Sequence, residues 1–121
     1  MLYSAIRIIV LAFLALFVLR ILLGVFRRIS GSLSMDELNE LKRRNALVLD
    51  VRTRAEYADG HVAGSLNIPL NELQEHLGEL DRTRPILTCC ASGARSAQAK
   101  RILESANFPM VYNVGPWRNA R

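Results

Sequence analysis

The sequence predicts an α/β domain, built on a mostly parallel sheet flanked by helices and preceded by one transmembrane helix. Three observations carry that reading. Residues 1–30 contain no acidic residue and are apolar almost throughout. Beyond them, apolar runs of strand length alternate with stretches whose apolar residues recur at helical spacing, the order that builds an open α/β sheet. Two of those runs, at 46–51 and 85–90, are nearly continuous in apolar residues, the pattern of strands buried on both faces of a parallel sheet.

The N-terminal element comes first. Ile8 to Leu19 is unbroken apolar sequence, and Ile21 to Phe26 continues it after Arg20. A bilayer core needs about 20 mostly apolar helical residues, which the stretch from Leu2 to Phe26 supplies. Arg7 lies near one end and can snorkel to the headgroups, while Arg20 can reach along the helix toward Arg27 and Arg28. A cleaved signal peptide would want a small-x-small site soon after the apolar run, but the nearest, Ser32-Leu33-Ser34, follows two arginines. A helix lying on the membrane surface would need a polar face, which is missing. Residues 1–30 are therefore expected to be a single-pass anchor and residues 31–121 the domain it carries. Arg27, Arg28, Lys42, Arg43 and Arg44 follow the span, against Arg7 before it, which favours a cytoplasmic domain. Arg7 ahead of an apolar run also resembles a secretory n-region, which points the other way.

The basic balance belongs mainly to this segment. The chain carries +5, with four arginines in the first 30 residues, so the remainder is close to neutral. Without a basic stripe bearing aromatics, nucleic acid is excluded as a partner. The two cysteines, Cys89 and Cys90, are adjacent, and neighbouring Cα atoms about 3.8 Å apart fall below the usual disulfide range. Two cysteines with the distant His61 and His76 make a poor zinc set, so no metal site is expected.

Along the domain, Ser34 and Glu37 stand at the N-cap and N3 positions of a capping box, opening a short helix to about Arg43. Strand 46–51 follows. Thr53 caps a second short helix through Tyr57, with Glu56 at its N3. Loop residues 59–64 lead to a brief strand at 65–67. Leu70, Leu73, Leu77 and Leu80 mark a helical stripe with Glu72, Glu75 and Glu79 outside it. Strand 85–90 is followed by a small-residue turn at 91–94, a helix at 96–107, a last strand at 110–112, and a Gly115-Pro116 turn before Trp117.

The chemistry concentrates where strand 85–90 ends. Ligands of α/β sheets bind beyond the carboxyl ends of strands, and a helix N-terminus there offers free N–H groups and partial positive charge. Ala91, Ser92, Gly93 and Ala94 are small enough for the backbone to wrap inward, and Arg95 adds a permanent cation. Such surroundings stabilise a thiolate, making Cys90 the candidate nucleophile and 91–95 its anion-binding loop. The bland alternative is an inert cysteine at a strand end, where free cysteine commonly sits. Asp50 and Arg52 are expected to pair as structural support, His61 to fix its loop by hydrogen bonding, and Trp117 to pack in the core.

Cys90-Ala91-Ser92-Gly93-Ala94-Arg95-Ser96 resembles the active-site loop of single-domain rhodaneses, Cys-x-x-Gly-x-Arg followed by Ser. Leu49-Asp50-Val51-Arg52 with Glu56-Tyr57, and the segment from Gly60 to Pro69, resemble two further blocks of that family in the right order. Gly115-Pro116-Trp117 is similar to its terminal turn, in compressed form. The resemblance implies a five-stranded parallel sheet and a sulfurtransferase cycle without metal or organic cofactor. In that cycle Cys90 takes a sulfane sulfur from a small anionic donor such as thiosulfate and yields it to a thiol or protein acceptor. The loop amides cradle the anion and Arg95 orients the donor. Two alternatives stand beside it. Rhodanese-like domains also serve as non-catalytic binding modules. Counted from Cys89, the loop has the Cys-x5-Arg spacing of a phosphatase family that shares the fold. Gly93 three residues after Cys90, and Thr88 where that phosphatase signature has His, favour Cys90.

Overall fold

The computed structural model describes residues 1–30 and 33–121, with side chains for 1–26 and 33–121. Gly31 and Ser32 of the short linker, and the side chains of Arg27 and Arg28 on which the orientation reading leans, lie outside the described residues. The chain divides into two compact units, one ending at Gly31 and the other beginning at Ser32.

The first unit is a single helix, α1 (Leu2–Ser30). Its 25 residues from Leu2 to Phe26 are long and apolar enough to cross a membrane, and none of that span is buried.

The second unit begins with α2 (Met35–Arg43). The Ser34 side chain accepts from the Glu37 amide, and the Glu37 carboxylate accepts from the Ser34 amide. Leu38 and Leu41 form its buried stripe. Strand β1 (Leu47–Asp50) leads to α3 (Arg54–Ala58), closed by the equivalent box of Thr53 and Glu56. A cap of this kind contributes about 1 kcal/mol, enough to matter for a helix of 5 residues. Strand β2 (Leu66–Asn67), β3 (Ile86–Cys90), α4 (Ala94–Ser105) and β4 (Val111–Pro116) complete the alternation.

All pairings are parallel, in the order β2-β1-β3-β4. Among the described residues the sheet has four strands, which corrects the five implied by the resemblance. After residue 33 the sequence offers four segments read as strands, at 46–51, 65–67, 85–90 and 110–112, and from Trp117 the chain forms a short 3₁₀ helix (Trp117–Ala120). The leucine stripe at Leu70–Glu79 is 3₁₀ and not α, although the steps of 3, 4 and 3 residues between Leu70, Leu73, Leu77 and Leu80 follow the α period. Strand β4 runs four residues past Tyr112, taking in the expected Gly115-Pro116 turn. The pairing Cys89↔Gly115 and Cys90↔Pro116 holds this extension, after a register shift between Thr88 and Cys89.

The sheet is covered on both faces. Leu49, Val51, Ile86 and Cys90 pack with Leu73, Ala99 and Leu103 on one side. Val48, Leu87 and Cys89 pack with Leu38, Leu41 and Trp117 on the other. The alternation of side chains along β3 thus sends the two cysteines into different layers. β1 and β3 are central, and the chain leaves β1 toward β2 on one side and β3 on the other. Their carboxyl ends therefore flank the topological switch point where α/β sheets bind ligands.

Candidate active site

Two clusters meet at that switch point. At the end of β1, the Asp50 carboxylate is clamped by Arg52: Nη2 donates to Oδ2 at 2.7 Å, Nε to both oxygens at 3.0 Å, and the Arg52 amide to Oδ1 at 3.0 Å. The side chains are 1% and 5% exposed. Arg52 also donates to the carbonyls of Gly60 (2.7 Å) and Glu56 (3.2 Å), and its guanidinium lies 4.6 Å from the centre of the Trp117 ring. Asn67 donates from Nδ2 to the Asp50 and Arg52 carbonyls, tying β2 to the same corner. His61 stacks on Tyr57 with centroids 3.8 Å apart, and its Nδ1 lies 2.8 Å from the Tyr57 carbonyl oxygen. Both contacts engage it in the loop.

At the end of β3, Cys90 has 0% exposure, while Ala91, Ser92 and Ala94 around it are exposed. The loop closes on the sulfur: the Gly93 amide donates to Sγ at 3.0 Å, and the Ser96 Oγ lies 3.4 Å from it. The protonated thiol donates to Ser96 Oγ, whose own hydroxyl donates to the Gly93 carbonyl at 3.0 Å. Once the thiol ionises, that hydroxyl is placed to turn toward sulfur. Burial pushes the Cys90 thiol up, but the Ser96 hydroxyl and the Ser96, Gly93 and Ser92 amides outweigh it, and the net shift is downward.

Gly93 is the N-cap of α4 with φ +107, a conformation that side-chain-bearing residues rarely adopt. A Cβ there would also stand 3.4 Å from the Cα of Gly115, so β4 walls the loop. Thr88 Oγ1 donates to the Ser96 carbonyl at 3.0 Å, fixing the first turn of α4 to the sheet. Arg95 is not a free cation: Nη1 and Nη2 donate to Glu56 Oε2 and Oε1 at 2.8 and 3.0 Å. Arg95 and the Thr53 amide hold the Glu56 carboxyl down to about 2.

Cys89 is also 0% exposed but lies in the other layer, against Trp117 and Leu41. Burial, with the nearby Asp50 charge, pushes its thiol up to about 12. One sulfur is thus held toward the thiolate and its neighbour toward the thiol. The sequence reading leaves out the part of Glu56 in this site. Its cap role is visible locally, but its partner Arg95 is 39 residues away. Among the described residues no group of three or more His, Cys, Asp or Glu side chains is placed to hold a metal ion.

The Ser96 hydroxyl gives the site a direct test. Ser96→Ala removes a group that stabilises the thiolate, so the pH midpoint of Cys90 reactivity is expected to rise. The rate of sulfur uptake followed against pH reads this; an unmoved midpoint would leave the backbone amides as the sole cause.

A parallel α/β domain with a thiol at a strand end, closed in by the N-terminus of the helix that follows, is an arrangement suited to cysteine-centred transfer chemistry. Residues 34–115 match the model of the rhodanese-like domain, and the chain belongs to that family. The thiosulfate sulfurtransferase PspE of Escherichia coli (strain K12) is 36% identical over 69 residues, covering 55% of this chain and 66% of PspE. YrkF of Bacillus subtilis (strain 168) is 39% identical over 69 residues, 57% of this chain and 37% of YrkF, so the chain spans well under half of that relative. A solved rhodanese from E. coli with anions superposes with a TM-score of 0.58 at 33% identity, covering 61% of this chain and 89% of the other.

Proposed function

We propose that the chain is a sulfurtransferase that carries a sulfane sulfur as a persulfide on Cys90, with α1 as a single-pass membrane anchor and the domain on the cytoplasmic side. The observation that carries the chemistry is the setting of one sulfur: the Gly93 amide donates to it at 3.0 Å, and the Ser96 hydroxyl, 3.4 Å away, can turn its proton toward it once the thiol ionises. These donors suit a thiolate before transfer and a persulfide anion after it. The PspE name and the family match support the reaction class. The apolar span from Leu2 to Phe26 supports the anchor.

In the first half-reaction the Cys90 thiolate attacks the outer sulfur of thiosulfate. A new S–S bond forms, the donor's S–S bond breaks, and sulfite leaves with the bonding pair. Charge is conserved at three negative on each side. In the second half-reaction a thiophilic acceptor attacks the terminal persulfide sulfur and the thiolate leaves. Cys90 has no exposed surface, so the 91–95 loop must yield for a donor to enter. Arg95, at the first turn of α4, is placed to orient the donor's oxygens. Cys89 suits neither this cycle nor a phosphatase cycle, because it is buried in the opposite layer with its thiol raised to about 12.

The test is a weighing. Full-length protein incubated with thiosulfate is expected to gain the mass of one sulfur atom and to lose it on addition of cyanide. No gain, with thiosulfate or a persulfide donor, would overturn the enzymatic reading and leave a binding module.

A further inference from the structure

Arg95 is the loop's cation, yet in this structure its charge is already met. Glu56 takes both terminal nitrogens of the guanidinium, while the same Oε2 accepts from the Thr53 amide at 2.8 Å. The carboxylate is thus fixed from two sides, by the cap of α3 and by the loop. The other arginines of this corner are also matched: Arg52 by Asp50, and Arg54 by Glu72. With Cys90 ionised, these pairs leave none of Arg52, Arg54 and Arg95 as an uncompensated cation for the thiolate, which is held by the Gly93 N–H and Ser96 O–H dipoles. A guanidinium has five N–H groups, and the Glu56 pair engages two of them. Arg95 therefore keeps donors with which to orient a sulfonyl oxygen, although its charge is cancelled.

We infer that Glu56 is a positioning and specificity residue, which fixes Arg95 and sets the site for monoanionic sulfane donors, such as thiosulfonates, over the dianion thiosulfate. The inference rests on the sulfurtransferase reading above and deepens it. Both donors enter by the same step: the thiolate attacks the outer sulfur, the donor S–S bond breaks, and sulfite or a sulfinate leaves with the electron pair. They differ in charge by one unit at nearly equal shape. Glu56, held near 2, stays ionised through the neutral range, so its discrimination is constant there.

The experiment uses the full-length protein in detergent micelles, with thiosulfate and methanethiosulfonate as donors and cyanide as acceptor. Glu56→Gln keeps an oxygen for the Thr53 amide and removes the charge. The expected result is a fall of about three- to tenfold in KM for thiosulfate, a clearly smaller fall for methanethiosulfonate, and little change in kcat. In the wild type, added salt is expected to lower the thiosulfate KM, because it screens a repulsion; this arm needs no variant to fold. Equal shifts for the two donors, a thiosulfate KM that rises in Glu56→Gln, or one that rises with salt in the wild type would each overturn the inference. If the wild type takes sulfur from neither donor, the sulfurtransferase reading falls with it; normal loading with an unshifted donor ratio removes the role of Glu56 alone.

Discussion

Replacing Cys90 by serine is expected to lower sulfur transfer on the order of 10⁴-fold or more, while Cys89→Ser stays within about threefold of wild type. Serine at position 90 fits the existing bonds: its hydroxyl can accept from the Gly93 amide and meet Ser96 Oγ. The fold should hold, so the loss reports chemistry. A hydroxyl is far from ionised at neutral pH and cannot store sulfur as a persulfide. The Cys89 substitution is the converse. It buries a hydroxyl against Leu41, Leu87 and Trp117 and should cost about 1–3 kcal/mol of stability, but it leaves the donors around Cys90 in place. Mass spectrometry after thiosulfate treatment, with steady-state rates alongside, separates the two. Sulfur retained in Cys90→Ser and lost in Cys89→Ser would move the nucleophile to the other layer of the sheet.

Arg52→Met should be the most destabilising single change in the domain, at about 3–5 kcal/mol. The side chain removed supplies three contacts to Asp50 and bonds to the Gly60 and Glu56 carbonyls, all at a corner with almost no solvent. What remains is a carboxylate shut away from water without its partner, and the cost is that stranded charge more than the lost attraction. The double variant Asp50→Asn with Arg52→Met should therefore be more stable than Arg52→Met alone. Thermal unfolding of the full-length proteins measures both. At about 4–8 °C per kcal/mol for a domain of this size, the single variant should melt more than about 12 °C lower. A shift of only a few degrees, or no recovery in the double variant, would mean the pair is not the anchor of this corner.

Much of the fold was legible because it is written locally. The boxes Ser34–Glu37 and Thr53–Glu56 place two helix starts to the residue. The apolar runs that became Leu47–Asp50 and Ile86–Cys90 announce the central strands by their lack of a polar face. The separation of Cys89 and Cys90 into different layers follows from the alternation of strand side chains. What stayed hidden depends on partners far along the chain. Strand β4 continues through Gly115-Pro116 only because β3 lies beside it and shifts register at Thr88; alone, that dipeptide reads as a turn. The leucines at 70, 73 and 77 are spaced for an α-helix, yet the segment is 3₁₀, which their spacing does not announce. At the site, the small loop residues and the strand end pointed to Cys90, but nothing near Glu56 or Arg95 announces their bond.

Trp117 is the chain's sole tryptophan, 7% exposed beneath Arg52 and packed in the layer of Cys89. The apolar helix α1 contributes only Tyr3 and phenylalanines to the near-ultraviolet. Indole emission is therefore an optical reporter confined to the catalytic domain, blind to the span even when that span is dissolved in detergent or lipid. Its colour follows the environment of one ring, so loosening of the Asp50–Arg52 corner should be visible as light before the rest of the sheet gives way.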